Sequence, residues 1–320
     1  MSKDIKDIWM SYFHELESLD ELEEITKALL GNNLEELEDL RINDIADDIN
    51  TVFSWDRNSS LIQLLDKVIK QNEEFFLIFP FWNFYRPILY YYFDKTLAKM
   101  IENNLIKDKD EFFKNMFIQG YFYLHSVGKR CIIFEINYMR EMGLLKGNTS
   151  EERYRYYNDV LLDDFKYIRE LFEEYTGLFR ILTLKAEFYT NYIREIIDLT
   201  SSYYINIFNT LNMDLPGKLL DIKIGLGDSH KSGRTVATLV FENAKIVFKP
   251  NQLGVEVAYY NLIEWLNKIA NTDLKAAKVF YNDKATWMEF IEYEDCESES
   301  QINDFYVRIG KIMCLLYSFN

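Results

Sequence analysis

Cysteine, proline, histidine and glycine are all scarce in this 320-residue chain, and most of these scarcities exclude something. Cys131, Cys296 and Cys314 are odd in number and widely spaced. They offer neither a disulfide framework nor a CxxC metal pair, which fits a reducing compartment. The four prolines are Pro80, Pro87, Pro216 and Pro250, so nothing between 87 and 216 interrupts a helix. Basic residues are in deficit, 36 Lys and Arg against 52 Asp and Glu, for a formal charge of −16. A phosphate backbone selects basic faces, so nucleic acid is not the expected partner. A basic peptide would be electrostatically welcome, although an acidic protein needs no such explanation.

The first ten residues, MSKDIKDIWM, hold no apolar core of signal-peptide length. The longest apolar stretch, Phe75 to Phe93, carries Asn83, Arg86 and two prolines. It reads as buried core rather than a membrane span, and the expected location is the cytoplasm. What the chain has in quantity is apolar and aromatic surface: 48% hydrophobic residues, with 24 Phe and 23 Tyr. That is enough to offset the entropy of ordering, so a compact fold is expected.

Residues 1–215 read as helices. Ser18-Leu-Asp-Glu21 has capping-box spacing and is followed by Leu22, Ile25 and Leu29 at helical intervals. Leu61, Leu64, Leu65, Val68 and Ile69 form a second stripe behind the cap signal Asn58-Ser59-Ser60. The acidic run 35–39 reads as a solvated helix face. The texture changes at Met213-Asp-Leu-Pro-Gly217, after which Gly225, Gly227 and Gly233 come in quick succession. Thr235–Phe241 and Ile246–Phe248 read as strands joined by a turn at 242–245. Val255–Ile269 reads as a helix whose apolar face is Ala258, Leu262, Trp265, Leu266 and Ile269. Lys278–Tyr281 and Thr286–Ile291 follow as strands, and Ile302–Tyr317 as a last helix. The predicted class is α+β: a large helical region, 1–215, followed by a β-β-α-β-β-α unit, 216–320.

Candidate chemistry lies between Gly225 and Tyr293. The loop Gly225–Arg234 is either an ordinary turn or a nest of N–H groups for an anion; no Walker motif occurs. Lys249 ends the apolar strand Lys245-Ile-Val-Phe-Lys249. There it either points to solvent or, as in kinases, holds nucleotide phosphates and pairs with a helix carboxylate. Glu256 is the nearest such carboxylate, with Glu264 further along. Trp287-Met-Glu-Phe-Ile-Glu-Tyr293 is a core strand or a nucleotide-contacting hinge. Asp228 and His230 stand two apart, so in an extended segment they share a face and could do acid–base work. His14 and His125 lie among helical aromatics and read as packing residues.

Taken together, Gly227-Asp-Ser-His230, Gly233-Arg234, Phe248-Lys-Pro250, the helix 259–267 and Trp287-Met-Glu-Phe290 resemble class II lanthipeptide synthetases in order and spacing. The aromatic helical region resembles the start of that family's dehydratase domain, so the likeness spans essentially the whole chain. It implies a lipid-kinase-like N-lobe within 216–320. It also implies an enzyme that uses ATP and Mg²⁺ to phosphorylate Ser and Thr of a ribosomal precursor peptide, then eliminates phosphate to leave dehydroalanine or dehydrobutyrine. Lys249 matches the family's phosphate lysine, and Asp228 with His230 matches the pair linked to elimination. Glu256 and Glu289 are the accompanying nucleotide-side residues. No zinc site is expected here, because the zinc cyclase is a separate C-terminal domain. The family's catalytic loop and metal-binding Asp lie beyond the final helix. The expectation is therefore a dehydratase portion truncated before that loop, inactive alone and partnered by a missing C-terminal lobe and cyclase. The alternative is a catalytically dead module that binds peptide or nucleotide.

Overall fold

A computed structural model describes residues 43–55, 58–72, 79–225, 233–251 and 254–318. The predicted cap at Ser18, the stripe from Leu22, the acidic run 35–39 and His14 fall outside these residues, as does Phe75 to Ile78 of the apolar stretch. The described helices are α1 (Asn43–Ser54), α2 (Ser60–Gln71), α3 (Trp82–Leu97), α4 (Lys109–Glu141), α5 (Ser150–Arg155), α6 (Phe165–Glu174) and α7 (Thr176–Thr210). After them come β1 (Leu219–Lys223), β2 (Ala237–Phe241), β3 (Lys245–Lys249), α8 (Gly254–Ala270), β4 (Val279–Tyr281), β5 (Thr286–Glu289) and α9 (Glu299–Ser318). The α+β class is as expected. The chain divides into two compact units, one of Met1–Asp56, Phe79–Tyr91 and Val127–Thr183, the other of Arg57–Ile78, Tyr92–Ser126 and Leu184–Asn320.

The helices form where apolar periodicity and caps agree. Ser59 caps α2 by accepting from the Ile62 amide, and Leu61, Ile62, Leu65 and Val68 turn inward. The apolar stretch contributes Phe84, Tyr85, Ile88, Leu89 and Phe93 of α3 to the core. Among the described residues no helix is long and apolar enough to cross a membrane. In the first unit Phe172 of α6 meets Phe84 at 4.5 Å and Phe179 at 5.2 Å between ring centroids. Nearby, Glu135 of α4 is buried and accepts a 2.7 Å bond from the Tyr175 hydroxyl. In the second unit His125 stacks on Tyr121 at 5.3 Å, the packing role expected of it.

The sheet belongs to the second unit and has the order β1-β2-β3-β5-β4, every neighbouring pair antiparallel. Its first strand is one more than the sequence pattern predicts. Leu219-Leu-Asp-Ile-Lys223 hides its period because a bulge falls between Leu219 and Asp221, so buried positions do not alternate. The free edge of β1 is partly covered: Leu219 exchanges backbone bonds with Leu105 and Lys107.

Helix α8 is where expected, but its buried face is not. Ile263 is its one fully buried residue, whereas Ala258, Trp265 and Ile269 are exposed. Of the predicted stripe, Leu262 and Leu266 are half-buried and none is fully buried.

Asp221 gives a pH test of the β1 edge. Burial raises its carboxyl above the usual aspartate range, with the Ile222 amide and Lys223 opposing. A raised carboxyl favours the folded state only while it is protonated, so this contribution is lost as pH rises through the folded value. Asp221→Asn is therefore expected to stabilise the protein at pH 7 by up to about 1 kcal/mol. The gain should vanish below the ordinary aspartate range; urea titrations at neutral and acid pH measure it.

Candidate functional site

Backbone alternation gives the sheet two faces. Phe248 of β3 and its cross-strand partner Trp287 turn to α7: Phe248 packs on Tyr192 at 6.2 Å, and the Trp287 indole N–H donates to Thr200 at 3.2 Å. Val247 and Lys249, one residue out of phase, turn the other way. Val247 has Thr238 and Met288 as cross-strand partners, and Lys249 has Thr286. A lysine thus stands at the end of a largely apolar row.

Lys249 is not free in solvent. Its Nζ donates to both Glu256 carboxylate oxygens, at 2.7 and 3.0 Å, and the two side chains are only 20% and 32% exposed. Glu256 lies in the first turn of α8, where a carboxylate also complements the helix N-terminus. Burial, and then the Glu256 charge, raise the neighbouring Tyr260 phenol. Of the residues singled out in the sequence, the fold brings these two together.

Glu289 sits at the far end of β5, paired with Ile246, three register positions from the Lys249 pair. Its carboxylate accepts the Lys278 amide at 3.0 Å and its own amide donates to the Lys278 carbonyl at 3.1 Å, extending the β4–β5 ladder. Asp228 and His230, with Gly227, lie outside the described residues.

The two ends of the β1–β2 connection are described. The Gly225 amide donates to Thr235 Oγ1 at 2.8 Å, closing the neck of the connection. Arg234 forms an ion pair with Glu195 of α7 at 2.8 Å. A cleft of about 580 Å³ opens beside it, lined by residues including Arg194, Asp198 and Lys284. A second cleft, about 280 Å³, is lined by Tyr123, Tyr189 and Tyr192. The Gln119 side-chain amide donates to the Ile222 carbonyl at 2.9 Å. No local motif marks Gln119, Tyr192 or Glu195, because each is a helical residue that meets a segment far along the chain.

Gly233 holds φ +73°, and a Cβ there would come within 2.9 Å of the Tyr123 hydroxyl. Gly225 is also left-handed, at φ +85°, but has open space around it. Gly233→Ala is thus expected to cost about 1–2 kcal/mol and Gly225→Ala about 1 kcal/mol. Equal shifts in thermal unfolding would show that the tyrosine contact contributes nothing.

Comparison with known proteins accords with the motif reading. A family model described as "Domain of unknown function (DUF4135)" matches residues 175–320. Over 204 residues the chain is 24% identical to the lacticin 481/lactococcin biosynthesis protein LcnDR2 of Lactococcus lactis subsp. lactis. That match covers 61% of this chain and 22% of the relative, so the chain spans about a fifth of that protein's length. These matches support a relation to class II lanthipeptide synthetases.

Proposed function

We propose that the Lys249 face of the sheet binds ATP and that the chain is the nucleotide-binding part of a lanthipeptide dehydratase. The observation that carries this reading is the Lys249–Glu256 ion pair, 2.7 Å long, between the third strand and the helix after it. Kinases hold nucleotide phosphates with a lysine on such a strand, oriented by a helix carboxylate. The fit is physical as well as topological. Half-buried Val247, paired with the buried Met288, offers apolar surface to a base, while Lys249 sits where phosphates would follow. The end of β5 at Glu289 is the natural place for the edge of the base. On this reading, 216–320 would include a small lipid-kinase-like lobe.

In the proposed reaction a Ser or Thr hydroxyl oxygen of a precursor peptide attacks the γ-phosphorus, ADP leaves, and the hydroxyl proton passes to a base. A base then removes the Cα proton, the Cβ–O bond breaks with phosphate as leaving group, and the double bond of the dehydro residue forms. Asp228 and His230 are the proposed acid–base pair for this second step. Mg²⁺ would neutralise phosphate charge when bound. Among the described residues no group of three or more His, Cys, Asp or Glu converges on a metal position, so no residue here is assigned to it.

The test is calorimetric titration of the chain with ATP and with adenosine, each with Mg²⁺. Saturable ATP binding that is tighter than adenosine binding is expected. No ATP binding at millimolar concentration would remove the reading. Incubation with a Ser/Thr-bearing precursor peptide then separates enzyme from binding module: phosphorylated or dehydrated peptide by mass identifies the enzyme.

A further inference from the structure

The second unit carries a groove of about 750 Å³ at the end of the sheet away from Lys249. Phe241 of β2 pairs with Leu219 at this end, while Ala237, at the other, pairs with Phe248. The walls come from three separated stretches: 103–105 before α4, 201–205 of α7, and 215–218 leading into β1. Hydrogen bonds hold these stretches in place. The Asn103 side-chain amide donates to Ser201 Oγ at 3.3 Å, and the Leu105 amide donates to Asn103 Oδ1 at 2.8 Å. The Tyr204 hydroxyl donates to the Gly217 carbonyl at 2.6 Å. The groove is therefore ordered before anything enters it, which lowers the entropy cost of binding. Two of its wall residues, Ile205 and Leu215, are nevertheless each 53% exposed.

One side of the groove is cationic, in a chain whose formal charge is −16. Lys218 lines it. Lys109 is close enough that burial, and then the Lys218 charge, lower its ammonium below the usual lysine range. Lys109 donates to the Asn103 carbonyl and Lys218 to the Asn104 carbonyl, and among the described residues neither ammonium is in an ion pair. Glu242 lies beside them, but its carboxylate is bound to Lys107 and accepts the Lys218 backbone amide at 2.7 Å. Asp108 is likewise engaged, accepting the Glu111 amide at 3.0 Å. Backbone carbonyls satisfy an ammonium's donors but leave its charge uncompensated.

We propose that this groove docks an acidic, aliphatic peptide segment, with an aliphatic side chain against Ile205 and Leu215 and a carboxylate at Lys109 and Lys218. Charge complementarity selects this occupant. A basic segment would meet two like charges, and a wholly apolar one would desolvate both lysines without a counter-charge. The proposal stands independently of the nucleotide reading, since no residue of the groove belongs to the Lys249 face.

The experiment uses the full chain and a fluorescein-labelled peptide of alternating Glu and Leu with blocked ends, followed by fluorescence anisotropy. Saturable binding is expected, at least about tenfold tighter than for the same peptide with Gln or Lys in place of Glu. It should weaken as salt rises. Lys109→Gln with Lys218→Gln should abolish the preference for Glu over Gln. Should that double variant fail to fold, Lys218→Gln alone serves, because Lys218 is exposed. Ile205→Glu should weaken binding at least about tenfold, by adding a like charge to the apolar wall. Phe134→Glu, at a residue of the first unit that is 63% exposed, should leave it unchanged. Equal affinity for the Glu and Gln peptides, or tighter binding of the Lys peptide, would overturn the proposal. So would an equal loss in Ile205→Glu and Phe134→Glu. Displacement of the labelled peptide by an equimolar amount of octanoate would identify a small-carboxylate site and overturn peptide docking.

Discussion

Lys249→Ala is expected to weaken ATP binding about a hundredfold, with adenosine binding unchanged. The lysine is the cation at the end of the Val247–Met288 row, and a charge-assisted bond to phosphate contributes most where solvent is partly excluded. Its removal also leaves the Glu256 carboxylate, 32% exposed, facing the phosphates it would then repel. Glu256→Gln should cost less, about tenfold, because the lysine charge remains and only its orientation is lost. Lys249→Arg should not restore affinity, since a planar guanidinium does not replace an ammonium held at one point. The readout is the dissociation constant for each nucleotide by calorimetry. Equal ATP affinity for wild type and Lys249→Ala would move the phosphate site elsewhere.

The largest stability effect is expected at Trp287. Its side chain is fully buried against Phe248 at 5.3 Å, Phe280 at 5.6 Å and Tyr203 at 6.2 Å, and its N–H is satisfied by Thr200. Trp287→Ala removes the aromatic centre between sheet and helix α7 at a cost of about 3–5 kcal/mol. Trp287→Phe should cost about 1–2 kcal/mol, chiefly because the buried Thr200 hydroxyl loses its donor. Urea unfolding followed by far-UV circular dichroism measures both. Because the chain forms two units, more than one transition is expected, and the mutation should move the one that reports the sheet. A shift below about 1 kcal/mol for the alanine variant would contradict this account of the core.

These two positions were legible to different degrees. Lys249 stands out because a lysine ending an apolar strand needs a partner, and Glu256 was the nearest carboxylate. The pairing follows from a short connection and needs no distant information. Trp287 could be read as strand core, but not as the residue that fastens β5 to α7, since Thr200 lies 87 residues away. The buried face of α8 is not legible for a related reason. Its apolar residues spread over more than one side, and only contact with the rest of the second unit decides that Ile263 is buried. Helix α9 shows the same limit. It forms where the periodicity places it, yet none of its residues is buried, and Phe305, Tyr306, Met313 and Leu316 are exposed.

By itself the sequence determined what local chemistry can dictate. The proline-free span became helices, the glycine-rich span a sheet region, and the linked motifs from Gly227 to Phe290 carried the relation to lanthipeptide synthetases. It also offered Glu256 as the nearest candidate partner of Lys249, seven positions on, with solvent as the alternative. Tertiary structure alone decided the rest. It added β1, whose bulge erases the alternation that would reveal it. It drew each compact unit from three separated stretches of chain. It also brought Gln119, Tyr192 and Glu195 to the ends of one connection. Periodicity and caps report forces between near neighbours, whereas these contacts arise when distant elements bury apolar surface together and leave their few polar groups to find partners.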